Sequence, residues 1–383
     1  MTDSSPRTMH AVLLNGHGGL EQLEYRTDVP VPRPGPDEVL IRVAAAGVNN
    51  TDINTRIGWY SKSVGQATNT GGATGFDEVN DADATWSGEP MQFPRIQGAD
   101  CCGHVVAVGD DVDPSRIGER VLVRNMLRSY VDYRPYECWT FGSECDGGFA
   151  QFAVAPARET HAVVCDWSDV ELAAVPCAYS TAENMLHRVD LGAERALITG
   201  ASGGVGSAAV QLAKRRGATV IAVCSPAKAD EVRAFGADQV IDRGADLVAE
   251  LGEGSVEVVV DLVVDLVVDL VVDLVVDLVG GEQWPALLDL LRRGGRYATA
   301  GAIGGPIAQI DLRTLYLKDL TLVGCTFQDD EVFANLLSYV EADEFRPHVA
   351  KVFPLHEIGK AQEEFLSKRL MGKLVLTMPE DEG

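Results

Sequence analysis

The 383-residue chain carries 57 acidic and 32 basic side chains, a formal net charge of −25, which argues against nucleic acid or an anionic membrane as partner. Its 46% hydrophobic and 23% charged content is that of a globular protein, and the length allows two domains with separate cores. Lysine is scarce, 8 against 24 arginines, and an acidic, lysine-poor surface suits a high-salt cytoplasm where self-repulsion is screened. A GC-rich genome is the other account of that arginine excess. Eight cysteines, at 101, 102, 138, 145, 165, 177, 224 and 325, form no C-x-x-C pair, as expected of reduced thiols in a cytoplasmic protein. Met1–Thr8 is polar and lacks the apolar core of a signal peptide.

Along the first half, short β-prone runs alternate with Gly/Pro turns: Ala11–Leu14, Glu38–Ala44, Gly103–Val108, Arg120–Arg124 and Phe149–Ala155. Residues 61–92, rich in Gly, Ser, Thr, Asn and Asp, read as a long loop insertion. Helical periodicity begins at Trp167–Val189. From Arg195 to about Val323 strands and helices alternate, the pattern of a doubly wound parallel sheet, and a last β/α segment covers Val332–Met378.

The start of that alternation carries the strongest functional signal. An apolar strand (Ala196–Thr199) leads through a glycine-rich turn into an amphipathic helix (Val205–Arg216) and a second strand (Thr219–Val223). Ala201, Gly203 and Gly206 fill the three small-residue positions of a G-x-G-x-x-G-like turn, which let backbone N–H groups and a helix N-terminus approach a pyrophosphate. A glycine turn in an unrelated α/β domain is the competing reading, and the flanking strand–helix–strand order favours the nucleotide. An Asp or Glu closing the second strand would accept from the ribose 2′-OH of NAD. Here Cys224 and Ser225 follow Val223 instead, and then Lys228; Arg243 lies past the next strand (Gln239–Asp242). Ser225, Lys228 and Arg243 suit a 2′-phosphate, hence NADP(H), although a solvated surface charge is the alternative for both cations.

Val259–Leu278 is Val-Val-Asp-Leu five times in succession. An Asp at every fourth residue argues against a membrane span. As a helix the repeat would stack Asp on Asp; as a strand it is amphipathic, but twenty extended residues would run roughly 66 Å, far beyond a sheet strand. Every copy fits the same slot, so the pattern leaves register open. The last copy, Val275–Val279 with Gly280 and Gly281 behind it, is expected to form the strand, with residues 259–274 leaving the sheet as a tandem duplication.

The motifs Gly47-Val48-Asn49-Asn50-Thr51-Asp52, Gly98–Gly109, Ser180-Thr181-Ala182, Gly203–Gly206 and the Val-Asp-Leu-Val-Gly-Gly run ending at Gly281 resemble those of the medium-chain dehydrogenase/reductase superfamily, in its zinc-free quinone oxidoreductase and enoyl reductase branch. The resemblance covers nearly the whole chain. It implies an α/β protein: a GroES-like β-rich catalytic domain, residues 1–166 completed by 325–383, and a Rossmann NADP-binding domain, 167–324. Its loop before Gly98 is usually much shorter than 61–92.

In zinc-dependent relatives three side chains hold the metal. Asn49 stands at the first Cys position and Ala99, beside Asp100, at the His position; Cys177 alone matches, so no metal is expected. Without one, the task implied is hydride donation from NADPH to a conjugated acceptor, a quinone, enone or enoyl thioester, as small-molecule substrate. Asn49–Tyr60 resembles a segment ending in a catalytic Tyr, which makes Tyr60 the candidate acid, or else an aromatic lining the cleft. Asn49 would contact the nicotinamide ribose or the substrate carbonyl; Asp52 is expected to cap the helix after it. The resemblance places Thr181, Ser202, Gly203, Gly204, Val205, Gly206, Val279, Gly301 and Lys373 at the cofactor and implies a homodimer. An NADP-dependent alcohol dehydrogenase and a nucleotide-binding protein with little catalysis are the alternatives.

Overall fold

The computed structural model describes residues 7–251 and 272–380. They divide into two compact units, one comprising the chain up to Ser180 together with Phe327 onward, the other Thr181–Thr326.

The first unit is built on the long strand Glu38–Val48. It pairs antiparallel with Cys102–Val108, with Phe152–Pro156 and with the C-terminal strand Lys373–Thr377, inside a seven-stranded sheet. Val39, Ile41 and Val43 pack against Val105, Val121, Val123 and Phe141, whereas Leu40, Ala46 and Val48 pack against Phe149, Leu374 and Leu376. Side chains alternate across a strand, so this one supplies two separate apolar clusters. The register Leu374↔Val48 ties the end of the chain to its beginning and sets Lys373 beside Asn49. Helix Asn50–Arg56 follows immediately, and the Asp52 carboxylate accepts from the Asn49 N–H at 2.7 Å, capping it as expected.

Within 61–92 the only helix is Thr68–Gly71, so the loop reading stands. It is nonetheless pinned. The fully buried Arg56 donates to the carbonyls of Gly18 (2.6 Å) and Gly72 (2.7 Å) and to Gln362 Oε1 (2.8 Å), and burial lowers its pKa to about 10.

In the second unit six parallel strands lie in the order Gln239–Asp242, Thr219–Cys224, Arg195–Ile198, Val272–Asp277, Leu291–Thr299, Thr321–Gly324. The order reverses next to Arg195–Ile198, which marks the place where such sheets bind ligands. Helix Gly204–Arg215 follows the glycine turn, one residue earlier than its periodicity suggests. Among the described residues no helix is long and apolar enough to cross a membrane.

The repeat departs from expectation at both ends. The fourth strand is Val272–Asp277, so Val272, Asp273 and Leu274 stay in the sheet, and Leu278 and Val279 lie past its end. The reason is local satisfaction. Leu274 is fully buried, Asp273 Oδ2 accepts from the Arg195 N–H at 2.8 Å, and its carboxylate pairs with Arg292. The other copies, up to residue 271, lie outside the described residues.

Candidate functional site

The nucleotide signal of the second unit comes together along the carboxyl edge of its sheet. Gly206 is the residue the turn cannot replace: a Cβ there would stand 2.1 Å from the Gly200 oxygen and 2.7 Å from Ala201 Cα. At Gly203 the nearest atom would be 3.4 Å away, so the turn is open on that side and the N–H groups of Gly203, Gly204 and Val205 lie at a helix start. Ser202, Gly204 and Val205 are half-buried and Gly203 is exposed. The turn is tied to the second strand by Ala201 N–H to the Val223 oxygen (3.2 Å).

Two further loops close on it. Val279 Cγ2 would be 3.5 Å from a Cβ on Gly200, and Gly304 donates to the Val279 oxygen at 2.7 Å, joining the loops that carry Val279 and Gly301. Asp277 organises them. Its carboxylate is fully buried and accepts from Thr199 Oγ1 (2.7 Å), the Tyr297 hydroxyl (2.5 Å) and the N–H groups of Val279 (3.0 Å) and Gly280 (3.1 Å). Sequence reasoning missed this role; the one available signal was the position of Asp277 just before Gly280-Gly281, both at positive φ (63° and 71°). At the ends of the second and third strands stand Ser225 and Lys228, half-buried, and Arg243, exposed, whose N–H donates to the Cys224 oxygen at 2.9 Å. Burial lowers the Lys228 pKa, and the Arg243 charge lowers it further against an opposing pull from Glu231. Two cations held within electrostatic reach of each other favour an anion between them. Thr181 is half-buried on helix Pro176–Arg188.

The first unit holds a buried polar cluster around Asp100. Lys373 Nζ lies 2.9 Å from Asp100 Oδ2, Asn49 Nδ2 lies 2.8 Å from the same oxygen, and Cys177 N–H donates to Oδ1 at 2.6 Å. Lys373 also donates to Asn49 Oδ1 and, at 3.4 Å, to the Val48 oxygen. Gly47 makes room for this, since a Cβ there would stand 2.2 Å from Asp100 Oδ2. Asn49 is 6% exposed and Lys373 3%, so both sequence-selected side chains are spent on one another and on Asp100. Neighbouring Asp52, which also accepts from Ala99 N–H (3.1 Å), has its pKa raised to about 7, by burial first and by Asp100 second.

Tyr60 is half-buried, and its hydroxyl donates to Thr51 Oγ1 at 3.0 Å. Trp86, from the insertion, donates its indole N–H to the same oxygen at 2.8 Å and lays its ring 4.8 Å from that of Tyr60. Burial raises the Tyr60 pKa. Neither Thr51 nor Trp86 was given a role from sequence: Thr51 stood inside the Gly47–Asp52 motif without a part of its own, and Trp86 lies in the insertion, which has no periodicity to follow.

The donors around Asn49 do not suit zinc. Ala99 offers no ligand atom, the Asn49 amide is engaged, burial pushes the Cys177 thiol up, and the Lys373 ammonium would repel a dication. Among the described residues no group of three His, Cys, Asp or Glu is placed to hold a metal ion.

Comparison with known proteins agrees with this architecture. Residues 35–165 match the alcohol dehydrogenase GroES-like domain, and 204–342 match the zinc-binding dehydrogenase domain. A guanaco (Lama guanicoe) quinone oxidoreductase is 28% identical, with 97% of this chain and 98% of that protein covered. The acryloyl-coenzyme A reductase of Metallosphaera sedula is 27% identical over 96% of this chain and 100% of its own length. Among solved structures, a provisionally described alcohol dehydrogenase of Sinorhizobium meliloti is 43% identical, covers 98% of both chains and superposes with a TM-score of 0.84. The chain belongs to the medium-chain dehydrogenase/reductase superfamily, in its quinone oxidoreductase-like branch. It is an oxidoreductase of a family that works with nicotinamide cofactors.

Proposed function

We propose that the protein is an NADPH-dependent, metal-free reductase of conjugated carbonyl acceptors: a quinone, enone or enoyl thioester. The observation that carries this reading is the Lys373–Asp100–Asn49 cluster, which puts a buried ammonium beside the position where the resemblance sets a zinc ligand. Gly203, Gly204 and Val205 would hold the pyrophosphate, Ser225, Lys228 and Arg243 the 2′-phosphate, and Thr181, Val279 and Gly301 the nicotinamide end. Bound NADPH supplies a hydride to an acceptor that is already electrophilic and so needs no Lewis acid. What the chain adds is a proton. The Tyr60 O–H points at Thr51, and burial makes it a weaker acid than a free tyrosine, so it would give up its proton only as negative charge develops on the acceptor. Thr51 Oγ1 accepts from both Tyr60 and Trp86, which leaves its own O–H to donate. In this reading Thr51 gives its proton to the acceptor and takes one from Tyr60, the tyrosinate so formed regains its proton from solvent before the next turnover, and Asn49 and Lys373 hold the segment that carries both.

The reading includes a cytoplasmic homodimer. In support, the segment that leads into the edge strand Thr321–Gly324 exposes Ile307, Leu312, Tyr316 and Leu317 at 73, 62, 62 and 54%; light scattering on the purified protein tests it. The chemistry is tested by anaerobic screening of NADPH oxidation against quinones, enones, enoyl thioesters and aldehydes, with metal analysis of the same sample. Turnover of conjugated acceptors by zinc-free protein is the expected result. One zinc per chain, lost together with aldehyde reduction, would replace it by an NADP-dependent alcohol dehydrogenase. Cofactor binding without turnover of any acceptor would leave a nucleotide-binding protein.

A further inference from the structure

Residues 61–92 are well anchored, and through Trp86 they meet the candidate proton line. Trp86 is half-buried, pinned by its N–H to Thr51, and packs at 4.8 Å and 42° on Tyr60, whose other neighbour is Trp59 at 5.7 Å and 77°. The loop around it is tied by Ser87 N–H to Glu144 (2.9 Å), Thr85 Oγ1 to the Glu89 oxygen (2.8 Å) and Ser61 Oγ to Asp83 (2.8 Å). Trp86 and Trp59 thus flank the half-buried Tyr60 ring, and Trp86 and Tyr60 both reach the Thr51 hydroxyl. The same 32 residues carry five carboxylates (Asp77, Glu78, Asp81, Asp83, Glu89) against one cation, Lys62, and all but Asp83 of those acids are exposed.

We propose that the insertion, through Trp86, is a specificity element that favours uncharged, flat acceptors such as quinones and aryl enones over anionic acyl thioesters. The inference rests on the reductase reading and narrows its substrate class. Rings at these angles gain most from a planar partner that can stack or meet them edge-on. A local excess of four negative charges opposes a coenzyme A thioester with its phosphates, and does so most at low ionic strength.

The test compares 1,4-naphthoquinone, methyl vinyl ketone and crotonyl-coenzyme A at saturating NADPH. Wild type is expected to prefer naphthoquinone over crotonyl-coenzyme A in kcat/KM. Trp86→Leu, which keeps apolar bulk without a ring, should lower the naphthoquinone-to-methyl vinyl ketone ratio about tenfold, while Trp86→Phe restores most of it. Neutralising Asp77, Glu78 and Asp81 as Asn, Gln and Asn should raise crotonyl-coenzyme A turnover severalfold at low salt, and the gain should fade at high salt. A wild-type preference for crotonyl-coenzyme A, or equal ratios in the Leu and Phe variants, overturns the proposal. If no acceptor is reduced at all, the reductase reading fails instead. Quenching of tryptophan fluorescence by unreactive 2-naphthol then still decides the binding claim, since an affinity unaltered in Trp86→Leu sinks it.

Discussion

Lys373 Nζ and Asp100 Oδ2 lie 2.9 Å apart although 273 positions separate them in the chain. Both side chains are buried, at 4% and 0% exposure. Removing one member of such a pair leaves a buried charge without its partner, at a cost of about 3–5 kcal/mol. Lys373→Met should therefore lower the melting temperature strongly, and Lys373→Met with Asp100→Asn should recover most of the loss. A double variant as unstable as the single one would show that the lysine acts through packing alone.

Asp52 makes stability depend on pH in an unusual direction. Its folded pKa of about 7 lies above the ordinary 3.8, so the folded state binds this proton more tightly than the unfolded chain. The group's contribution is complete below about pH 4 and is lost as pH rises through 7. Asp52→Asn removes the titration, so denaturant unfolding at several pH values should show the variant gaining on wild type from pH 4 to 7. A constant difference over that range would mean that Asp52 keeps an ordinary pKa.

For the cofactor, Lys228→Ala should weaken NADPH binding by about 1–3 kcal/mol, the scale of a charge-assisted hydrogen bond, and hardly affect NADH. Titration of the reduced cofactors by fluorescence separates the two. Equal losses would return Lys228 to the solvated surface and leave the choice between NAD and NADP open.

Tyr60→Phe should cut turnover of a conjugated acceptor by roughly 10²–10⁴-fold with NADPH still bound. Because Tyr60 donates to Thr51, Thr51→Val should lose a comparable amount. A near-normal kcat in Tyr60→Phe with a raised KM would make the ring a wall of the cleft and nothing more.

What the sequence disclosed and what it concealed divide along physical lines. The strand–turn–helix–strand at 195–224 was legible because glycine spacing and two hydrophobic periods agree locally, and its observed ends differ from the reading by one residue. The capping role of Asp52 was legible for the same reason, being three residues from Asn49. The Lys373–Asp100 pair was not, since it exists only once Leu374 is set opposite Val48. Trp86 was hidden in a segment held by side-chain hydrogen bonds that leave no periodic trace. The start of the fourth strand was hidden by degeneracy: every copy offers the same Val, Asp and Leu, and only the partners Arg195 and Arg292 show that Asp273 is used.

That degeneracy makes the repeat directly testable. Deleting Val259–Leu274 joins Val258 to Val275, so the strand would read Val256-Glu257-Val258-Val275-Val276-Asp277 in place of Val272–Asp277. Glu257 then arrives at the position of Asp273, opposite the Arg195 N–H and Arg292, and Val258 at that of Leu274. Asp277, Val279 and Gly280 keep their order, so the hydrogen bonds from Thr199, Tyr297 and the loop N–H groups have the same acceptor. The exchange of Leu274 for Val costs about 0.5–1.5 kcal/mol by analogy with the loss of one buried methyl. Against that, four uninterrupted Val-Val-Asp-Leu copies, a β-prone aggregation hazard, are gone. The deletion variant should thus keep its NADPH affinity, unfold within a few degrees of wild type and stay soluble at higher concentration. Loss of NADPH binding in a folded variant would show that the removed copies shape the cofactor edge of the sheet, and the tandem-duplication account would fall.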